Sequence, residues 1–329
     1  MFRDNTYRLP AEWEPQSGIQ LTWPHSNTDW APMLKEIERT YNEMAEEIQK
    51  YEPLLVVGPP SNDTWARDHG FITLTADDGQ PPILLDFKFN GWGEKFDYEL
   101  DNALNRRLYE EGRFNGEYID HLDFVLEGGS IESDGKGTIF TTTCCLLAPH
   151  RNQPLTKQDI EIKLKEYLSA KRIVWIDYGH LTGDDTDGHI DTLVRICPND
   201  TLMYVGCDDP QDEQYEDLQK MEEQLKTFRT MDGRPYHLVK LPMPHAIYDE
   251  DQERLPATYA NFLIMNDAVL CPTYNQTDND EKALEQIKKV FPDRKVVGID
   301  SRAIIRQHGS LHCCTMQFPK GVYQPSQKK

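Results

Sequence analysis

The stretch Gln307-His308-Gly309-Ser310-Leu311-His312-Cys313-Cys314-Thr315 ends a series that runs through the whole chain. Cys313 is the last of five polar landmarks, after Asp68, Glu127, Asp191 and Asn261, at intervals of 59, 64, 70 and 52 residues. Each landmark sits at the start or end of an apolar run, and each leads into a strand, a loop and a second strand. A period of this size marks stacked or circular repeats. A closed ring of ββαβ-type units would aim all five landmarks at one central axis. The units share almost no residue identity, so coincidence is the competing reading.

Outward from these landmarks, β-rich runs alternate with helical ones, which predicts an α/β fold. Asp29 to Tyr51 reads as a helix, with Met33, Leu34, Ile37, Tyr41, Met44 and Ile48 at helical spacing. Tyr215 to Phe228 and Glu281 to Val290 read likewise. Leu54–Val57, Ile83–Phe87, Thr138–Thr141, Ile173–Ile176 and Leu202–Val205 read as strands. No Gly/Ser linker divides the chain. One catalytic domain is expected over residues 1–323, with a polar tail over 324–329.

Composition narrows the function. The 329 residues are 38% hydrophobic and 10% aromatic, enough for a sizeable core. The formal net charge of −21 disfavours nucleic acid, whose binding rests on basic patches. It suits a cationic ligand, because a negative field speeds encounter with positive substrates. General solubility explains the same charge without any ligand. No apolar run approaches a membrane span, and Met1-Phe2-Arg3-Asp4-Asn5 carries no signal-peptide core. The seven cysteines show no Cys-x-x-Cys spacing. Free thiols in a reducing, cytoplasmic compartment are expected rather than a disulfide framework or a zinc site.

A thiol beside histidine and small residues is a candidate nucleophile. It attacks as the thiolate, which a cationic substrate or a neighbouring imidazolium favours. Adjacent strand residues face opposite sides, so one of Cys313 and Cys314 faces a site and the other the core. Periodicity does not choose between them. Carboxylates grip a planar guanidinium in pairs, each charge-assisted bond contributing roughly 1.5–3 kcal/mol. Asp68 and Asp191 are the candidates for that grip, both read at strand ends; taken singly, an Asp before His-Gly is more often a turn or helix cap. His189 lies two residues before Asp191, so on a strand the two would share a face. Glu127-Gly128-Gly129-Ser130 offers a further carboxylate, although paired glycines also make a plain turn. The carboxylate-rich loop from Thr182 to Gly188 fails the calcium-loop spacing. His308 and His312 with Cys313 complete no tetrahedral set, so no metal and no other cofactor is expected.

Taken in order, the motifs resemble the agmatine deiminase family, also called Porphyromonas-type peptidylarginine deiminases, of the pentein superfamily. They are Leu9-Pro10-Ala11-Glu12-Trp13-Glu14-Pro15, Thr22-Trp23-Pro24-His25, Thr64-Trp65-Ala66-Arg67-Asp68, Leu126-Glu127-Gly128-Gly129, Asp185-Thr186-Asp187-Gly188-His189-Ile190-Asp191, Tyr259-Ala260-Asn261-Phe262 and Gly309-Ser310-Leu311-His312-Cys313. Two places depart from the family's pattern. His308-Gly309-Ser310-Leu311 replaces a stretch ending Gly-Asn-Ile, and Phe71 stands where Pro is common.

The resemblance implies a five-bladed α/β propeller of pseudo-fivefold ββαβ units and a metal-free covalent mechanism. It assigns the nucleophile to Cys313, which follows the histidine. It implies His189 as general acid–base, Asp68 and Asp191 as guanidinium ligands, Glu127 and Asp185 as further substrate-site residues, and Trp65 as a pocket wall. The implied reaction is hydrolysis of agmatine to N-carbamoylputrescine and ammonia through an amidino-cysteine, a step toward putrescine. Rivals are a deiminase of peptidyl-arginine or another free guanidine, an amidinotransferase, and a binding module without turnover. The expected partner is a small cationic guanidine, not nucleic acid or membrane. A homodimer is compatible with the sequence, which does not fix the oligomeric state.

Overall fold

Antiparallel strands can be joined by a short turn, whereas parallel strands need a long crossover, usually a helix. In the computed structural model, which describes residues 6–325, every sheet contains one parallel pairing and at least one antiparallel pairing. Five small sheets form among the described residues. Ile72–Ala76, Ile83–Lys88 and Glu117–Val125 make the first, extended at one edge by Tyr7–Arg8. Ile131–Ser133, Thr138–Thr142 and Arg172–Ile176 make the second. Val194–Cys197, Thr201–Val205 and His237–Leu241 make the third, and Leu263–Ile264, Ala268–Thr273 and Lys295–Asp300 the fourth. The fifth joins the two ends of the chain: Thr315–Pro319 pairs antiparallel with Gln16–Thr22, which pairs parallel with Leu54–Val57.

Each parallel step carries a helix between its strands. Leu34–Gln49 serves the fifth sheet, Leu104–Glu110 the first, Lys157–Tyr167 the second, Tyr215–Thr227 the third and Thr277–Val290 the fourth. Leu34–Gln49 buries Ile37, Tyr41, Met44 and Ile48, the stripe that its spacing predicts. It begins later than Asp29 because Ala31–Met33 is a tight 3-10 turn holding Pro32, a residue tolerated only in a first helical turn. The five strands read from sequence agree with the observed ones to within one residue at either end.

Burial falls across each sheet. The first strands are fully buried at Ile131–Ser133, Val194–Cys197 and Leu263–Ile264. The third strands His237–Leu241 and Lys295–Asp300 are largely intermediate or exposed. The segments leading into the first strands therefore lie deep in the molecule. Every landmark is in such a segment, two to four residues before the first strand of its sheet.

The local conformations differ from the expected strand ends. Asp68 lies in the short helix Ala66–His69, and Asp191 in the 3-10 turn Ile190–Thr192. The chain cannot stay extended into His189, because Asp187 and Gly188 both take positive φ and Thr192 then bonds back to the His189 carbonyl. Cys313 sits in a turn closed by Thr315 N–H on the His312 carbonyl, before the strand begins. Among the described residues no helix is long and apolar enough to cross a membrane. The expectations for Met1–Asn5 and for 326–329 lie outside the described residues.

Candidate active site

Gly129 is the point where the landmark segments meet. A Cβ at this position would lie 2.6 Å from His189 Nδ1, 2.9 Å from Asp68 Oδ1 and 3.1 Å from Asp191 Oδ2. Only glycine leaves room for three side chains to converge so closely. Cys313 adjoins them, its Sγ 3.7 Å from Asp191 Oδ2 and 3.3 Å from Asn261 Nδ2. Cys314 instead meets the buried Tyr41 hydroxyl through its thiol.

Asp68 is fixed by two donors, Gly129 N–H at 3.0 Å and Trp92 Nε1–H at 2.9 Å. Trp92 is held at φ 56 and ψ 44, the left-handed region. That conformation costs a non-glycine residue about 1–3 kcal/mol and recurs at functional sites. Here it aims the indole at the carboxylate. Glu127 is fully buried and accepts Arg151 Nε at 2.7 Å. Arg151 also bonds Asp187 at 2.6 Å and the Thr186 carbonyl at 2.9 Å, tying Glu127 to the acidic loop. In that loop Asp184 is occupied by Thr186 and Gly188, while Asp185 faces a cavity.

The protonation pattern is unusual. Burial pushes the Cys313 thiol well above its ordinary pKa, and the charges of Asp191 and Asp68 push it further. Burial lowers that of His189, but Asp68, Cys145 and Glu127 outweigh it and hold the ring well above its ordinary value. Asp68 is raised by burial, opposed by His189, to about 6. Burial would also raise Asp191, but the hydrogen bond and charge of His312 overcome it and hold it below the usual carboxylate value. Both His189 nitrogens, Asp191 Oδ1 and Glu127 Oε2 are buried without a hydrogen-bond partner. Buried polar atoms are nearly always paired. A cluster of unmet ones marks a place for a ligand.

A small cavity opens beside this cluster. Cys313 and Asp68 line it, with Trp65, Trp92 and Phe96 as aromatic walls and Asp29, Asp63 and Asp185 as further acids. Burial raises Asp63 to about 7, with the charge of Asp29 adding, and burial raises Asp185 to about 6. Among the described residues two side-chain sets have the spacing of metal ligands, Glu127 with Cys145 and His189, and Glu12 with Glu132 and His312. Arg151 lies on the first set, and every donor of the second is bound to protein.

The structure thus brings Cys313, His189, Asp68, Asp191, Trp65 and Asp185 around one site, with Glu127 buried behind His189. Sequence reasoning gave no role to Trp92, Arg151, Asn261 or Glu12. Asn261 carried a signal as the fourth landmark, and its Oδ1 accepts the His312 N–H at 2.9 Å. In the sequence His312 reads only as a candidate metal ligand; in the fold its ring binds Asp191.

Comparison with known proteins defines the class. The family model of the Porphyromonas-type peptidyl-arginine deiminases matches residues 8–319, and the chain belongs to that family, whose members are guanidino-group hydrolases. A solved structure from Porphyromonas gingivalis titled a "Putative Arginine Deiminase" is 49% identical, with a TM-score of 0.92 over 97% of this chain and 100% of that one. A C. jejuni agmatine deiminase solved with substrate bound is 38% identical, with a TM-score of 0.90 over 96% and 97%. A curated relative from Marinomonas sp. (strain MWYL1), named "Putative agmatine deiminase", is 34% identical over 95% of each chain.

Proposed function

We propose that this chain hydrolyses agmatine to N-carbamoylputrescine and ammonia through a covalent amidino-cysteine. The observation that carries the reading is the convergence on Gly129: two carboxylates and an imidazole around one point, with Cys313 alongside and buried polar atoms among them left without a partner. The likeness to agmatine deiminases supports the same substrate. The finer architecture follows, with the five sheets as blades of an α/β propeller whose axis the landmarks surround.

Asp68 and Asp191 pin the guanidinium. Its charge cancels the negative field that holds Cys313 protonated, so substrate binding itself favours loss of the thiol proton to solvent. The thiolate adds to the central carbon. The His189 imidazolium gives its proton to the departing nitrogen, and ammonia leaves. His189, now neutral, takes a proton from water as the water attacks the amidino carbon. The carbon–sulfur bond then breaks, releasing the ureido product and the Cys313 sulfur. Holding the reactants in register contributes about 7–11 kcal/mol in well-oriented systems.

The acids and aromatics of the cavity suit a second cation at the distal end of the substrate. None of its lining residues is an arginine or lysine that would receive the carboxylate of free arginine. A second reading, deimination of an arginine-type substrate, is favoured by the 49% identity to the P. gingivalis protein. Ammonia release from agmatine, arginine, methylated arginine and an arginine peptide decides between them. Product formed only when an amine acceptor is added would instead indicate an amidinotransferase. The seven free cysteines agree with a reducing, cytoplasmic setting.

A further inference from the structure

Both nitrogens of the His312 ring end on carboxylates. Nδ1 lies 2.7 Å from Asp191 Oδ2, and Nε2 lies 2.7 Å from Glu12 Oε1. A neutral imidazole has one N–H. It would satisfy one carboxylate and set a bare nitrogen against the other. Only the doubly protonated ring serves two ionised carboxylates at once. The ring is fully buried, where charges persist only when paired.

The surroundings fit a cation at this place. The charged groups around the ring are Glu12, Glu132 and Asp191 on one side of the balance and Arg67 and Arg195 on the other. With Glu132 ionised against Arg195, a positive His312 brings the set to neutrality. Cys313 Sγ approaches the same Asp191 oxygen at 3.7 Å, and the charge of His189 also acts on that carboxylate. Glu12 cannot swing away, because Arg67 at 3.2 Å, Arg195 at 2.6 Å and Gln317 at 3.1 Å also hold it.

We propose that His312 is a positioning residue for deimination, an imidazolium clamped between Glu12 and Asp191 that fixes one oxygen of Asp191 and leaves the other free for the guanidinium. The inference rests on the reading of Asp191 as a guanidinium ligand. It accounts for the split character of that carboxylate: Oδ2 is bonded, while Oδ1 is buried with no partner. It also keeps Asp191 ionised beside Cys313, so the site presents a permanent anion to the substrate. Glu12, from the segment Leu9–Pro15, thereby acts on the site through the ring.

Three measurements test this. Nitrogen-15 NMR of histidine-labelled wild-type protein without substrate should find both His312 nitrogens protonated at pH 7; a neutral ring overturns the proposal. His312→Gln keeps a polar group but removes the charge. Its KM for agmatine should rise about tenfold while kcat falls by less, the split expected when a carboxylate that grips the substrate is loosened. An unchanged KM overturns the proposal. Glu12→Gln should shift the same two quantities in the same direction but less, and it decides the kinetic question if His312→Gln does not fold. A wild-type chain releasing no ammonia from agmatine would overturn the substrate reading instead, leaving the ring measurement to decide this one.

Discussion

Two buried polar clusters meet at Asp191, and they are built on opposite terms. Around Arg195, the side chains of Glu12, Glu132, Arg67, Gln317 and His312 all have protein partners. Around Gly129, His189, Glu127 and Asp191 keep atoms with none. Both are charged and both are buried, so neither property separates them. Satisfaction does. A closed network holds a fold together, whereas an open one waits for a molecule that closes it.

The sharpest test of this contrast is the sulfur at the edge of the open cluster. Cys313→Ser should lower ammonia release by about 10³-fold or more, as loss of a nucleophile does elsewhere. Cys314→Ser, in the core beside Tyr41, should stay within about threefold of the parent. Equal losses would remove the distinction between the two thiols.

The next test concerns the carboxylates. Asp68→Asn or Asp191→Asn each removes one charge-assisted grip worth about 1.5–3 kcal/mol, so kcat/KM should fall about 10–100-fold. Gly129→Ala forces a methyl group against His189, Asp68 and Asp191. Its kcat/KM should drop by a similar factor, and its melting temperature should fall as the buried side chains are pushed apart. A Gly129→Ala enzyme with normal KM would show that the convergence point is not where substrate sits.

A pH measurement separates open from closed more finely. Asp68 titrates near 6 in the folded site, above its unfolded value. A raised carboxyl binds its proton more tightly when folded. Its contribution to stability is therefore present at low pH and is lost as pH rises from about 4 through about 6. Above that window the empty site holds repelling carboxylates, and a bound dication relieves them. Agmatine should raise the melting temperature of Cys313→Ser more at pH 7.5 than at pH 5. The kcat/KM of the parent should fall on the acid side of pH 6, because protonated Asp68 no longer grips the cation.

The smallest effect on turnover is expected at Glu132, the member of the closed cluster bonded to neither His312 nor Asp191. Glu132→Gln leaves Arg195 short of its charge partner, and breaking such a buried pair costs about 3–5 kcal/mol. Denaturant unfolding should register that loss, while KM for agmatine stays within about twofold.

Some of this was legible in the chain before any coordinates. The five strands read to within one residue, and the helix read over Asp29 to Tyr51 holds over Leu34–Gln49, because hydrophobic spacing reports burial directly. The landmark period was real, since each landmark precedes the inner strand of its own sheet. The strand reading of His189 and Asp191 was wrong, because positive φ at Asp187 and Gly188 turns the chain there. Trp92 gave no signal, since its role depends on a strained turn that only the folded packing maintains.

The amino-acid order by itself determined which groups are present: a thiol, an imidazole, paired carboxylates and a glycine at recurring intervals, with alternating strand and helix patterns to carry them. The folded molecule decided their chemistry. Asp191 and His312 are 121 residues apart in the chain, yet they share a hydrogen bond. Burial, together with such distant partners, sets which groups are ionised and which atoms stay open, and both depend on contacts that sequence spacing does not encode.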